Sequence, residues 1–323
     1  MTGNGGDIRK TVTDEYTFTR VTAAHYPLLT ELYADAFGSR LTIEDIRKRY
    51  DTPAPGCEHI AFIALHTASL APAAYYGVFP HLVFREHEKI LVAQSGDTMT
   101  HSAHRKKGLF VTLARLTYAE CEKKGIRYIY GFPNDNSLPG FLKHLQWKEV
   151  DQVTRYDLKL TFKTFPLSRL SKKSPLIRKW QLSLATRLLR KYRSTAVDSF
   201  HNPLTNGYYR VYRDSAYLRY KETPDKLFIR IEDITFWIRL TDVIWIGEMD
   251  NYHGITERII RKLKRFAFWS GYNTIVLNLN ESIPLPEPLK AFRPAGKDVS
   301  CFYLPDQKAP ISLLITGADF DTW

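Results

Sequence analysis

Residues 100–110, THSAHRKKGLF, hold the side chains best suited to chemistry in this chain. Arg105, Lys106 and Lys107 stand directly before Gly108, and an apolar periodic run starts at Leu109. The first amides of a helix lack an internal partner and carry the positive end of its dipole. A helix opening at Gly108 therefore offers N–H donors to an anion, above all a pyrophosphate, and a glycine there leaves the approach unobstructed. The segment matches neither GxxxxGK[ST] nor GxGxxG, so a solvated basic turn is the competing reading. His101 and His104 sit beside it, and neutral imidazole titrates near working pH. Other chemistry has less support. Cys57, Cys121 and Cys301 are too few and too scattered for a disulfide framework or a zinc site. The ten histidines show no HExxH spacing, and Cys121, inside the helix after the turn, reads as packing.

The elements that must position this turn form a mixed α/β unit. Residues 15–22 read as a short strand, 25–38 as a helix closed by Gly38, and 42–50 as a second helix with Thr42 as N-cap. Two apolar strands follow, IAFIALH (60–66) and AYYGVF (74–79), then a longer strand over 88–101. The helix opening at Leu109 runs to Lys124, with Leu109, Leu113 and Leu116 on one face and Gly125 as its stop. A strand over 127–134, a helix over 137–147 and a strand over 153–160 complete the unit.

The chain has 323 residues, enough for two domains. Hydrophobic residues make up 44% and charged ones 25%, which excludes a disordered or low-complexity chain. The formal charge is +12, and ten of the Lys and Arg fall within 162–193, a stretch without Asp or Glu. There Ile177, Trp180, Leu184 and Leu188 recur at helical spacing, so the segment reads as a basic amphipathic helix between two halves. It suits an anionic membrane surface; a solvated helix docked through Trp180 and Leu184 is the plainer alternative, and nucleic acid is not the expected partner. The polar start MTGNGGDIRK lacks the apolar core of a signal peptide, and the charge-free run 59–84 is broken by turn residues, so a cytoplasmic protein is expected, with peripheral contact at the inner membrane face. The second half reads as strand material over 227–240, a strand over 242–250, a helix over 255–270 and a strand over 273–280. Gly108, Gly125 and Asn134 recur 146 residues later as Gly254, Gly271 and Asn280, in the same element order.

The order strand, RxxG turn, helix, strand and Asn-containing loop resembles the Gcn5-related N-acetyltransferase superfamily over residues 15–160. Arg105-Lys106-Lys107-Gly108-Leu109-Phe110 stands against the family's R/Q-x-x-G-x-G/A, and Asn134 and Ser137 match the family's N-x-x-[AS]-x-x-x-Y. YGVFP, DTMTH, GLF, YGFPN and the closing TGADFDTW are similar to tandem proteins of this fold from bacterial surface-polysaccharide gene clusters. The resemblance implies a mixed, mostly antiparallel sheet flanked by helices, in two copies: an active domain over 1–160, a linker over 161–197 and a degenerate copy over 198–323.

It also implies an acyl-CoA donor, acetyl-CoA or a longer thioester. The pyrophosphate would lie on the amides of Lys106 to Phe110, with Arg105 and Lys107 around it, and the pantetheine arm along Met99, Thr100 and His101. Asn134, Ser137 and Phe141 would stand near the cofactor's far arm. Asp97, beside the expected thioester, is the first candidate for general base, with His101 and His104 next. Phe110 and Phe141 depart from the family's small residue and tyrosine; the first would crowd the helix start and the second has no proton to give a leaving thiolate. The second half lacks the cradle, since Asn251, Tyr252 and His253 stand where the three cations would be. The expected activity is transfer of an acyl group to an amine of a small acceptor, a nucleotide-linked amino sugar on the subgroup resemblance. A non-catalytic scaffold and a protein lysine acetyltransferase are the rivals.

Overall fold

A computed structural model describes residues 14–54, 56–160, 167–171, 173–194, 200, 207–303 and 311–320. MTGNGGDIRK, Lys163 and Lys172 of the basic segment, 195–197 of the expected linker and the last three residues of TGADFDTW lie outside the described residues. The chain divides into two compact units, Met1–Val150 with Cys301–Pro310 and Asp151–Ser300 with Ile311–Trp323. That division falls at 150 rather than 160, and it makes no separate unit of 161–197.

In the first unit β1 (Tyr16–Arg20), β2 (Ile60–His66), β3 (Pro72–Arg85) and β4 (Glu88–Thr100) pair antiparallel in sequence order, and β5 (Tyr128–Gly131) pairs parallel with β4. Two helices, α1 (Tyr26–Phe37) and α2 (Ile43–Tyr50), follow β1. Gly38 ends α1 in the left-handed region at φ +70°, and a capping box between Thr42 and Asp45 starts α2. Leu29, Leu32, Ile46, Tyr50, Ile63, Tyr75, Phe79 and Met99 share one core cluster. The helix α3 (Leu109–Lys123) buries Leu109, Leu113, Tyr118 and Cys121, and burial pushes the Cys121 thiol up. A short helix α4 (Leu138–His144) follows β5. The sequence predicts this strand as AYYGVF, ending at Phe79. The ladder instead carries Pro80 opposite Ala93 and continues to Arg85 opposite Glu88; β2 pairs no further than Val78, so it makes no demand on the missing N–H.

The second unit contains β6 (Lys148–Lys159) from Asp151 onward, α5 (Leu167–Ser171), α6 (Pro175–Leu189), β7 (Arg210–Val211), α7 (Ser215–Lys221), β8 (Lys226–Ile231), β9 (Ile234–Leu240), β10 (Ile244–Met249), α8 (Glu257–Trp269) and β11 (Thr274–Asn280). From Val153 onward β6 pairs antiparallel with β11, which runs parallel to β10; β9 and β8 follow antiparallel. The expected strand material over 227–240 is two strands, broken at Glu232 by its φ of +56°. Asp214 caps α7, an element the tyrosine-rich sequence did not signal. Around it Arg213 donates to Glu248 at 2.7 Å and to Asp319 at 2.6 Å, all three buried. The basic helix α6 is capped by Ser174 and packs through Gln181, Ala185 and Leu189, not through Trp180, which is 58% exposed. The last strand, β12 (Arg293–Tyr303), ends in Cys301–Tyr303, which belong to the first unit and pair antiparallel with β5.

Candidate active site

Two neighbouring strands of the first unit part company. The parallel pairing of β4 with β5 covers only Val92–Gln94 against Tyr128–Tyr130. β5 ends at Gly131, whereas β4 continues to Thr100. Gly131 permits the last close approach, since a Cβ there would stand 3.3 Å from that of Ser95. Beyond it, among the described residues, no strand pairs with Ser95–Thr100 on the β5 side. β3 holds the other edge throughout, and the ladder shifts register between Tyr75 and Gly77, so β4 carries one extra residue there. Asp97, at φ +54°, marks this bulge. The result is a stretch of strand with one open row of backbone donors and acceptors.

That open edge leads to the basic turn. After Thr100 a short 3-10 turn, Ser102–His104, brings the chain round to α3. Lys106 at φ +63° and Gly108 at φ +74° flank Lys107, a left-handed alternation that turns successive N–H groups toward one side. Gly108 is the N-cap of α3 and supplies no capping side chain, so the first-turn amides have no acceptor from the cap. Nothing lies within 4 Å of where a Gly108 Cβ would be, so the space above the helix terminus is open. Arg105 and Lys106 are exposed. Lys107 is ion-paired with Glu15, which draws the Glu15 carboxyl below its usual range, and lies 5.5 Å over the Tyr16 ring. The contrast within the chain is α8, where Thr256 accepts from the Ile259 N–H and closes its own helix start.

The three side chains expected to act as bases all have structural work. Asp97 is nearly buried and ion-paired with Arg49 of α2, whose Nη2 donates to Oδ1 at 2.6 Å. A carboxylate with both oxygens facing a guanidinium is not a free base. His101 caps the 3-10 turn, its Nδ1 accepting from the Ala103 N–H at 3.2 Å, while its Nε2 stands 3.6 Å from Asp35. His104 meets the Tyr16 hydroxyl at 2.7 Å, and partial burial lowers its pKa.

The expected binding residues divide between backbone and side-chain roles. The side chains of Met99 and Leu109 are buried, so only their backbones are open to a ligand; Thr100 is half-buried and pairs with Ala74. Asn134 and Ser137 engage each other: the Asn134 side-chain oxygen accepts from the Asn136 and Ser137 N–H groups and shapes the turn into α4. The Phe110 ring packs edge-on to Phe141 at 5.2 Å and to Tyr76 at 5.8 Å, and it fills the space left by Gly140, where a Cβ would meet it at 3.0 Å. The crowding expected of Phe110 at the helix start is thus taken up by α4. Phe141 is buried against Tyr76, Phe110 and Trp147 as part of the core.

Sequence reasoning missed the groups behind Asp97. Arg49 lies over the Phe79 ring at 5.6 Å, and Tyr50 stacks on His59 at 3.8 Å between centroids. His59 Nε2 stands 2.9 Å from the Tyr75 hydroxyl, and Gly77 leaves room for that phenol, since a Cβ there would lie 2.2 Å from it. Burial depresses the His59 pKa to about 3, so the ring is neutral. The only local signal was polarity, a histidine opening an apolar strand.

Comparison with known proteins gives one kind of result. No family model matches the chain, and no curated protein matches its sequence. Solved structures do match. A probable N-acyltransferase of unknown function from Enterococcus faecalis V583 superposes with a TM-score of 0.58 at 12% identity, over 90% of this chain and 72% of that one. GCN5-related N-acetyltransferases from Kribbella flavida and Anabaena variabilis follow, with TM-scores of 0.55 and 0.54, each at 12% identity, covering 91% and 90% of this chain and 72% of theirs. Identity at that level speaks for architecture alone: the chain has the fold of the GCN5-related N-acetyltransferases.

Proposed function

We propose that the first unit binds an acyl-CoA and that the protein transfers its acyl group to an amine. The observation that carries this reading is the open edge of β4, Ser95–Thr100, leading directly to an uncapped helix terminus at Gly108. The residues fit such a cofactor. The amides from Lys106 to Phe110 would hold the pyrophosphate, with Arg105 and Lys106 adding charge, and the backbone of Ser95–Thr100 would hold the pantetheine amides. When bound, the cofactor supplies an activated thioester carbonyl and a good leaving group. Backbone N–H groups on the β4 edge then serve as the donors that polarise an acyl oxygen. The Arg49–Asp97 pair fixes the bulge that aims this edge, a positioning role in place of the general-base role expected of Asp97.

The acceptor we favour is a small amine, a nucleotide-linked amino sugar, on the strength of the YGVFP, DTMTH and YGFPN resemblance. A tandem arrangement is part of the same proposal. Its support is that β10 and β11 run parallel over three residue pairs up to Ile246, beyond which the β10–β9 ladder shifts register, as β4 and β5 pair over three residues up to Gln94, beyond which the β4–β3 ladder shifts register. Gly271 ends α8 at φ +73°, as Gly125 does after α3. Thr256 and the buried Tyr252 occupy the place of the cradle, so the second copy would not bind the cofactor. The engagement of Asp97 and His101 favours a second reading, a binding protein without turnover.

Calorimetric titration with acetyl-CoA and CoA tests the proposal. Micromolar binding is expected in the native chain and its loss in Gly108→Glu, which adds bulk and negative charge above the helix terminus. No binding of acetyl-CoA or longer acyl-CoAs, or equal affinity in a folded Gly108→Glu variant, refutes it. Binding without acylation of any amine would select the second reading.

A further inference from the structure

We infer that α6 and the C-terminal end of α8 form a surface that docks on an anionic lipid bilayer. The two helices meet in the second unit, where the Gln181 side-chain amide donates to the carbonyls of Ser270 and Gly271 at 3.2 and 3.3 Å. Leu167 packs against Gly271 from α5. The residues just before these contacts, Trp180 and Trp269, are 58% and 61% exposed. Leu176, one turn before Trp180, is 80% exposed, and Leu170, Leu188 and Phe268 are also exposed. These exposed apolar side chains flank the contact between the two helices, on a helix that packs its own unit through Gln181, Ala185 and Leu189, so the unit leaves them to an apolar partner.

Charge selects the occupant. Lys173, Arg178, Lys179, Arg187 and Arg190 interleave with the apolar side chains, and none is ion-paired among the described residues. Residues 162–193 hold no Asp or Glu at all, and 258–272 hold none either. Cations at the level of lipid phosphates, with indoles and leucines beside them, match the interfacial zone of a membrane rich in anionic lipid. A nucleic-acid backbone would satisfy the cations and leave Leu176 and both indoles in water.

The test is co-sedimentation of the full chain with phosphatidylcholine vesicles, with and without phosphatidylglycerol. Binding only to the anionic vesicles, weakened by salt, is expected. Lys179→Gln should lower partitioning about fivefold, the equivalent of about 1 kcal/mol per basic residue at the surface. A double variant, Leu176→Ala with Trp180→Ala, should abolish salt-resistant binding. Both sites are exposed, so the circular dichroism spectrum should be unchanged. Three results overturn the inference: no binding to anionic vesicles at low salt, binding indifferent to the double variant, or a duplex oligonucleotide that binds more tightly than the vesicles and displaces them.

Discussion

The Arg49–Asp97 pair can be isolated by a double-mutant cycle. Arg49→Gln leaves behind a carboxylate whose side chain is 6% exposed. Breaking a buried pair from one side costs about 3–5 kcal/mol, and since the Arg49 side chain is 26% exposed, about 3 kcal/mol is the better figure. Asp97→Asn leaves the guanidinium instead, which water already reaches, and asparagine tolerates the left-handed backbone at φ +54°; about 1.5 kcal/mol is expected. The double variant leaves neither charge alone and should lose about 2 kcal/mol, well under the sum, a coupling of about 2.5 kcal/mol. Hydrogen exchange at the amides of Ser95–Thr100 reads this locally, which matters because two units need not unfold together. Additive losses would refute the claim that the pair holds the bulge. Acyl transfer supplies a second readout. Both single variants should slow it alike if the pair positions β4, whereas a rate loss confined to Asp97→Asn would make Asp97 a base after all.

Two further outcomes follow from buried charge. His59 is neutral in the folded unit, with its pKa depressed to about 3, while in the unfolded chain it titrates near the ordinary value of about 6.5. Protons thus bind the unfolded state first, so stability is full above about pH 6.5 and falls with pH, by about 2 kcal/mol between pH 7 and 5. Denaturant titrations of the native chain and His59→Phe over that range should differ in slope, and parallel curves would remove His59 from the account. In the second unit, Arg213→Met takes away the guanidinium that the buried carboxylates of Glu248 and Asp319 share, while Arg210 stays close to Glu248. A loss of about 3–5 kcal/mol is expected in chemical denaturation of that unit, and a loss under 1 kcal/mol would show that the carboxyls simply take up protons.

The sequence disclosed the parts of the site that are written locally. A strand, three cations, a glycine and a periodic apolar run are neighbours in the chain, so the turn at 105–108 and the helix behind it were legible, with α3 ending one residue from where expected. Asp97 and its partner were not, because Arg49 lies 48 residues away and their meeting depends on how α2 packs on the sheet. The bulge itself has no local code: a left-handed aspartate in an otherwise ordinary strand looks like any other aspartate. The role of Phe110 was misjudged for a related reason. Its ring is accommodated by Gly140, an absence of side chain thirty residues on that only the fold brings opposite it. The strand β12 went unseen because RPAGKDVSCFY carries Pro, Gly and charges where a strand pattern would carry alternating apolar residues.

The strand that closes the first unit has a consequence for how the protein is made. Val150 and Cys301 are separated by 150 residues, so the ribosome finishes the body of the first unit long before it makes Cys301–Tyr303. At roughly 5–20 residues per second that interval is about 8–30 seconds. Throughout it the free edge of β5, with Tyr130 and Gly131, has no partner from its own chain. An unpaired edge of this kind attracts other nascent chains. A gene fragment ending at Val150 would keep that edge open permanently, so expression of the first unit alone should give a species prone to aggregate, and the cell would need to shield the growing chain until its last strand arrives.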